Sequence, residues 1–205
     1  MRRLAIFILL LVIFSGCSKT EDYGLQAYAQ KDYVNAFVLA EKGCKDKNGE
    51  ACYILGNIYN MGLSRQQDRL QAARYYIKAC DIGNGRACYM MGKMYGKSQI
   101  ILEDSDQSES YYRKSNKILI KECASGNAES CLYAGALYLY SLGVAHDNDK
   151  AMNYFEKSCQ LNYAAACYTI GYLLKNGKYD VGKDMNKSLS YMNKACRLGY
   201  SDACR

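Results

Sequence analysis

Ten of the eleven cysteines fall into five pairs of one spacing: Cys44/Cys52, Cys80/Cys88, Cys123/Cys131, Cys159/Cys167 and Cys196/Cys204. Each pair is C-x7-C and none of the ten is left over. Paired cysteines either ligate a metal or oxidise to a disulfide. Zinc sites favour two to four residues between cysteines and recruit histidines. The only histidine here is His146, whose neighbour Asp147 suggests a solvated loop. The pairs are therefore read as disulfides, with no metal and no cofactor. Closing a loop of about nine residues removes roughly 2.5 kcal/mol of unfolded-state entropy in the chain-entropy treatment. Eleven cysteines in 205 residues is too many for an ordinary reducing compartment, so the chain is expected to be exported.

The elements that must position these thiols follow from the period. First cysteines of successive pairs are 36, 43, 36 and 37 residues apart, a spacing in the range of solenoid repeats. Four residues after the second cysteine stands Gly56, Gly92, Gly135 or Gly171, and seven after it Tyr59, Tyr95, Tyr138 or Leu174. Eight before the first cysteine the residue is small (Ala36, Ala72, Ser115, Ala151, Ser188), and four before it stands Ala40, Tyr76, Leu119, Phe155 or Met192. Spacings of 3, 4, 7 and 8 place these residues on one helical face. A recurrent helical glycine, unfavourable by about 1 kcal/mol against alanine, points to close approach by the neighbouring helix. Segments such as Asp81 to Ala87 are turn-like, so one cysteine ends a helix and the other opens the next. The expectation is an all-α array of αα-hairpins with one disulfide per repeat. The step of 43 implies an insertion, expected as a surface loop near 97–110.

Composition agrees. The chain has no proline and 50% hydrophobic residues, which excludes a disordered chain and leans away from β folds. A net charge of +7 spread over nearly every loop gives no nucleic-acid patch. At the N-terminus, Met1-Arg2-Arg3 precedes an apolar run from Leu4 to Phe14, the length of a signal-peptide core and too short to span a bilayer. The following Ser15-Gly16-Cys17 resembles a bacterial lipobox. The resemblance implies cleavage before Cys17, acylation of Cys17, and anchorage at the periplasmic face of a bacterial membrane, with Ser18 pointing to the outer one. Expected boundaries are a leader at 1–16, a lipidated tether at 17–22 and a repeat domain at 23–205.

The pattern Ala51-Cys52-x-x-Leu55-Gly56-x-x-Tyr59-x-x-Gly62, with Ala72-x-x-Tyr75-Tyr76-x-x-Ala79-Cys80, resembles the Sel-one-like repeat (SLR), a relative of the tetratricopeptide repeat. One C-x7-C per unit resembles its cysteine-rich branch, the Helicobacter cysteine-rich proteins. Gly24, Lys31-Asp32-Tyr33 and Ala36 look like the rest of a first repeat. Departures are the insertion, Leu174 in place of tyrosine, and a last hairpin cut at Arg205. The resemblance implies a right-handed solenoid of about five hairpins whose repeat-opening helices line a concave face. Carried over residue by residue, that face would hold Tyr53, Tyr89, Leu132 and Tyr168, then Asn57, Lys93, Ala136 and Tyr172, then Asn60, Leu139 and Lys175. Of these, Tyr53, Asn57, Tyr89, Lys93, Tyr168, Tyr172 and Lys175 are the expected ligand-binding residues. Tyrosine gives large contact area at low entropic cost, which suits a peptide or glycan-peptide.

The resemblance also implies penicillin binding and β-lactam hydrolysis, with β-lactams as ligands. The residues supply no recognised machinery for it. S-x-x-K, S-D-N and K-T-G are all absent; Ser105-Asp106-Gln107 and Lys19-Thr20-Glu21 are near misses. Gly92 to Ser98 and Gly177 to Asp184 approach a phosphate-binding loop, but the first has its glycine one residue too close and the second has Asp184 where Ser or Thr is needed. The catalytic residues are left unassigned. The sequence reading is an exported, membrane-anchored binding or adaptor module for an envelope protein or peptidoglycan fragment, with weak β-lactamase action as the alternative.

Overall fold

The structure, a computed structural model, describes residues 22–96 and 104–204. The expected leader, Cys17 and residues 18–21 of the tether lie outside the described residues, as does 97–103. Among the described residues, ten α-helices and one short 3-10 helix follow in order: α1 (Leu25–Ala29), α2 (Tyr33–Lys45), α3 (Gly49–Met61), α4 (Arg69–Ile82), α5 (Gly85–Gly96), α6 (Ser105–Ala124), α7 (Ala128–Leu139), α8 (Asn148–Gln160), α9 (Ala164–Asn176), α10 (Met185–Arg197) and the 3-10 helix Ser201–Cys204. They pair as αα-hairpins, α1 with α2 through α9 with α10. No strand occurs among the described residues.

The helices begin where the sequence caps them. Asp32, Asp68, Asp104, Asp147 and Asp184 each accept the backbone N–H three residues on, as do Asn48 and Asn127 at the starts of α3 and α7. Such a cap satisfies a donor that the helix cannot use itself.

All five cysteine pairs are joined: Cys44 to Cys52, Cys80 to Cys88, Cys123 to Cys131, Cys159 to Cys167 and Cys196 to Cys204, with Cα–Cα distances from 4.6 to 5.0 Å. Each bond ties the last turn of one hairpin's second helix to the first turn of the element after it, except that Cys204 closes the terminal 3-10 helix. The disulfides therefore link successive repeats and do not lie inside one. Cys52, Cys88, Cys131 and Cys167, which open α3, α5, α7 and α9, are fully buried. Each lies on the helix face that packs into the core, so its sulfur is covered from both sides of the repeat junction.

Inside each hairpin the recurrent tyrosines stack: Tyr59 on Tyr75 at 5.6 Å, Tyr95 on Tyr111 at 5.6 Å, Tyr138 on Tyr154 at 5.8 Å. The glycines do what their recurrence predicts. A Cβ on Gly56 would sit 2.5 Å from the Tyr76 ring, and one on Gly135 2.5 Å from Phe155. Gly56→Ala is expected to destabilise the array by about 1–3 kcal/mol through overpacking, despite alanine's better helix propensity. Thermal melting checks this, with Gly182→Ala, whose Cβ would meet nothing within 4 Å, as the neutral control.

The third unit corrects the register read from the cysteines. Asp104 follows Tyr95 by nine positions, as Asp68 follows Tyr59 and Asp147 follows Tyr138, and in each case the aspartate N–H donates to that tyrosine's carbonyl. The stretch around 97–103 is thus no longer than its counterparts. The additional seven residues lie between Asp104 and Cys123 and are helical: α6 has 20 residues where α4 has 14 and α8 has 13. Seven residues make almost two complete turns, so a helix absorbs them without changing the face it presents. Accordingly Gly92 packs against Tyr112, not Leu119, and Ser108 Oγ donates to the Gly92 carbonyl at 2.8 Å. Ser115 and Leu119 pack one step further along, at Gly85. The expected loop insertion is a longer helix.

Candidate functional site

The first helices of successive repeats stand side by side, and their facing residues form one connected polar network. Two positions before the second cysteine of the first three pairs stand Glu50, Arg86 and Glu129, in α3, α5 and α7. The guanidinium of Arg86 donates to both carboxylates at once, one amino group to Glu50 and the other to Glu129. The N-cap side chain Asn84 donates to Glu50 as well, at 3.1 Å. Below the guanidinium lies the Tyr53 ring, 4.6 Å away, so the cation is held by two anions and one π face. Arg86 is only 8% exposed.

Tyrosines extend the network. The Tyr53 and Tyr133 hydroxyls lie beside one another, and the Tyr163 hydroxyl lies beside the Glu129 carboxylate. Tyr76 donates to Asn57 at 2.8 Å, and Tyr28 of α1 lies beside the same amide. The Tyr89 ring lies edge-on to Tyr133 at 4.9 Å and to Tyr112 at 5.5 Å. Burial drives the Tyr53, Tyr89 and Tyr163 hydroxyls well above their usual range, so they stay protonated at any physiological pH. Burial also holds the Glu129 carboxyl above its usual range. The Arg86 charge pulls it down, but Glu50 competes for the same cation and pushes it up again. One guanidinium cannot neutralise two carboxylates, so the cluster keeps one net negative charge and favours cationic ligand groups.

The residues expected to bind ligand divide into three groups. Tyr53 and Asn57 are buried, at 6% and 5% exposure, and serve as supports under Arg86 and Tyr76. Tyr89 is half-buried and Lys93 exposed at the middle of the row. Tyr168, Tyr172 and Lys175 line a groove of about 470 Å³ between α9, α10 and the 3-10 helix. Tyr168 stacks there on Tyr200 at 4.5 Å. The bridging cysteines next to this row are not part of its surface. Cys52, Cys88, Cys131 and Cys167 directly precede Tyr53, Tyr89, Leu132 and Tyr168, yet none of the four has any exposed area. They are internal staples with no sulfur for a ligand to touch. The sequence reading does not single out Glu50, Arg86 and Glu129, because it weighs charge only as a net balance spread over the loops. Their shared position before the cysteine was the available signal.

Among the described residues nothing in this arrangement forms an acyl-transfer centre. Ser130 donates to Glu122 at 2.6 Å but is fully buried. His146 is exposed. Among the described residues no group of three or more His, Cys, Asp or Glu is placed to hold a metal ion.

Comparison with known proteins decides the family. The Sel1 repeat model matches residues 49–84, 85–117, 128–163 and 164–200, well over half of the sequence. The chain belongs to the Sel1 repeat family. The interval 118–127, between the second and third matched Sel1 repeats, covers the end of the lengthened α6 and the turn into α7. Among solved structures, a Sel1 repeat protein from Oxalobacter formigenes is 23% identical over 88% of this chain and 70% of its own, with a TM-score of 0.59. A sel1 repeat protein from Klebsiella pneumoniae subsp. pneumoniae is 21% identical over 88% and 86%, with a TM-score of 0.57. Both show likeness of fold. Helicobacter pylori cysteine rich protein B is 30% identical over 67% of this chain and 93% of its own, with a TM-score of 0.42. No curated protein matches the chain. A Sel1 repeat array is consistent with a protein-interaction module. Its five disulfides indicate an oxidising, extracytoplasmic setting. Among the described residues no helix is long and apolar enough to cross a membrane.

Proposed function

We propose that this Sel1 protein is an exported, lipid-anchored binding module of the bacterial envelope. Its ligand is an envelope protein or a peptide-bearing peptidoglycan fragment, held along the first helices of its repeats. The observation that carries this reading is the set of Arg86, Tyr89, Tyr133, Tyr163 and Tyr168 on the repeat-opening helices α5, α7 and α9 and at the α9 N-cap. It offers rigid amphipathic rings, hydroxyl donors and one uncompensated carboxylate charge. Extended peptides need that combination: ring faces for apolar side chains, hydroxyls for main-chain carbonyls, and an anion for basic groups. Cys17 supplies the tether, and the oxidised staples suit the exterior of the cytoplasm.

The test uses the full chain and two probes, a soluble muropeptide digest and a detergent extract of envelope proteins. Binding is measured by calorimetry for the first and by affinity capture with quantification for the second. Tyr89→Ala should weaken binding about tenfold, the usual effect of losing a central aromatic anchor, with helicity unchanged. Equal binding by Tyr89→Ala and the parent chain would move the ligand off this row. Mass determination of the mature chain tests the anchor, since an N-terminus other than an acylated Cys17 removes that part of the reading.

A further inference from the structure

The fourth cysteine pair departs from the first three at two neighbouring positions, and both lie around Glu129. Four residues before the second cysteine, Asn48, Asn84 and Asn127 open α3, α5 and α7, and each side chain accepts the backbone N–H three residues on at 2.9 Å. In the fourth pair that place is taken by Tyr163, which makes no side-chain cap. Giving up such a cap destabilises a helix. The hydroxyl that stands in its place lies beside the Glu129 carboxylate.

Two residues further on, the inner row runs Glu50, Arg86, Glu129, then Ala165, then Asp202. Arg86 stands between two carboxylates and bridges them, so residues at this register position in adjacent repeats reach one another. Ala165 holds the matching place after Glu129 and has no charge. Among the described residues Arg86 is the only cation paired with Glu129, and Glu50 shares it. The Glu129 side chain keeps 29% of its surface open, and Tyr133, Tyr163 and Ala165 around it are half-buried. A cation arriving from solvent over Ala165 therefore meets an anion whose charge is only half matched.

The acceptors say which cation. Arg86 takes one oxygen of Glu129 and leaves the other, and the Tyr133 and Tyr163 hydroxyls lie close to that carboxylate. An ammonium gathers three donors on one small centre and matches these three acceptors, while its aliphatic stem packs on the rings. A guanidinium spreads its donors over a flat fork and finds no second carboxylate there.

We propose that the gap over Ala165 takes one primary ammonium group on an aliphatic stem, held by Glu129 and framed by Tyr133 and Tyr163. The proposal rests on the reading that the inner row binds a ligand, and it names the group taken at one place in that row. Its source is a lysine side chain of an envelope protein or the amine of a diamino acid in a peptidoglycan peptide.

The probe is n-butylammonium, the end of a lysine side chain, added to the oxidised full chain and followed by amide NMR, with 1-butanol as its neutral counterpart. Saturable shifts centred on Glu129 and Tyr163 are expected in the millimolar range, with none from 1-butanol. Glu129→Gln, which leaves Arg86 paired with Glu50, should weaken the probe about tenfold, as loss of a charged acceptor does. Ala165→Lys places the same cation in the gap from within the chain. It should abolish probe binding and raise the melting temperature, and the rise should vanish when Glu129→Gln is added. Equal shifts from 1-butanol, or binding unchanged by Glu129→Gln, overturn the subsite. So does an effect of Ala165→Lys on melting that is the same with and without Glu129→Gln. Failure here is separable from failure of the ligand reading. If Tyr89→Ala still weakens capture of muropeptides or envelope proteins while n-butylammonium is ignored, only the subsite falls. If n-butylammonium binds at Glu129 and neither mixture is captured, only the envelope reading falls. Acetylating the amines of each mixture in turn identifies the source by which loses binding, and binding that survives acetylation in both overturns the proposal.

Discussion

Full reduction of the five disulfides is expected to lower the melting temperature by roughly 20–40 °C, the largest effect of any single treatment. Each bond closes a loop of about nine residues and withholds roughly 2.5 kcal/mol of entropy from the unfolded chain. Together the five contribute on the order of 10 kcal/mol, comparable to the whole stability of a typical domain. At this chain length one kcal/mol moves the midpoint by about 2–4 °C. The loss should also be graded along the array. Eight of the cysteines are at most 2% exposed, whereas Cys204 is exposed and Cys196 half-buried in the terminal groove. A low concentration of reductant should therefore open Cys196–Cys204 first, with little change in helicity. The buried pairs Cys44–Cys52, Cys80–Cys88, Cys123–Cys131 and Cys159–Cys167 should follow only when the hairpins themselves open. Differential alkylation and mass mapping at each step checks the order. Uniform reduction of all five pairs, or a melting temperature insensitive to reductant, would contradict the account.

Arg86→Met should be the most damaging single substitution on the inner row, at about 3–5 kcal/mol, because it strands two half-buried carboxylates without their cation. Arg86→Lys should recover only part of this, since an ammonium gathers its donors on one nitrogen and lacks the planar fork that reaches Glu50 and Glu129 from two. The pH dependence has a definite sign. Burial already holds the Glu129 carboxyl above its usual value, and removing Arg86 takes away the charge that pulls it down. Just above the ordinary carboxylate range the folded variant then binds more protons than the unfolded chain. Its stability should fall as pH rises through the raised folded value and recover as the solution is acidified. Adding Glu50→Gln and Glu129→Gln should restore most of the loss and flatten the pH profile. Chemical denaturation between pH 4 and pH 8 measures both effects. A profile for Arg86→Met parallel to that of the parent chain would remove the charge cluster from the explanation.

Much of this architecture is legible before any coordinates. Five C-x7-C pairs in register, a glycine four residues later and a small residue eight residues earlier require helices that pack closely at fixed intervals, and the chain obeys. The reading fails where one ruler was trusted alone. Counting back from Cys123 assigned Ser115 and Leu119 the roles that Ser108 and Tyr112 play, because the count assumed that an added segment forms a loop. The N-cap aspartates offered a second ruler. Asp68, Asp104 and Asp147 each stand nine residues after a tyrosine, which places the added residues beyond Asp104, inside a helix. The inner row failed differently. Carrying over inward positions found Tyr53 and Asn57 but not their burial, because what covers them comes from other repeats: Arg86 from α5, Tyr133 from α7 and Tyr28 from the short α1. Exposure in a solenoid depends on neighbours that a single repeat does not contain.

The shortness of the links between cysteines bears on how the molecule comes to be made. Ten thiols can combine in on the order of a thousand ways. Here every correct partner is the nearest thiol along the chain within its own pair, eight positions away. Loops of this length close in about 10–100 ns, far faster than distant segments meet. Where the chain meets an oxidant from its N-terminus onward, each turn can present both of its thiols before the next pair has appeared. The order of synthesis then selects the right pairing, and oxidation proceeds from the first repeat to the last with little need for later reshuffling.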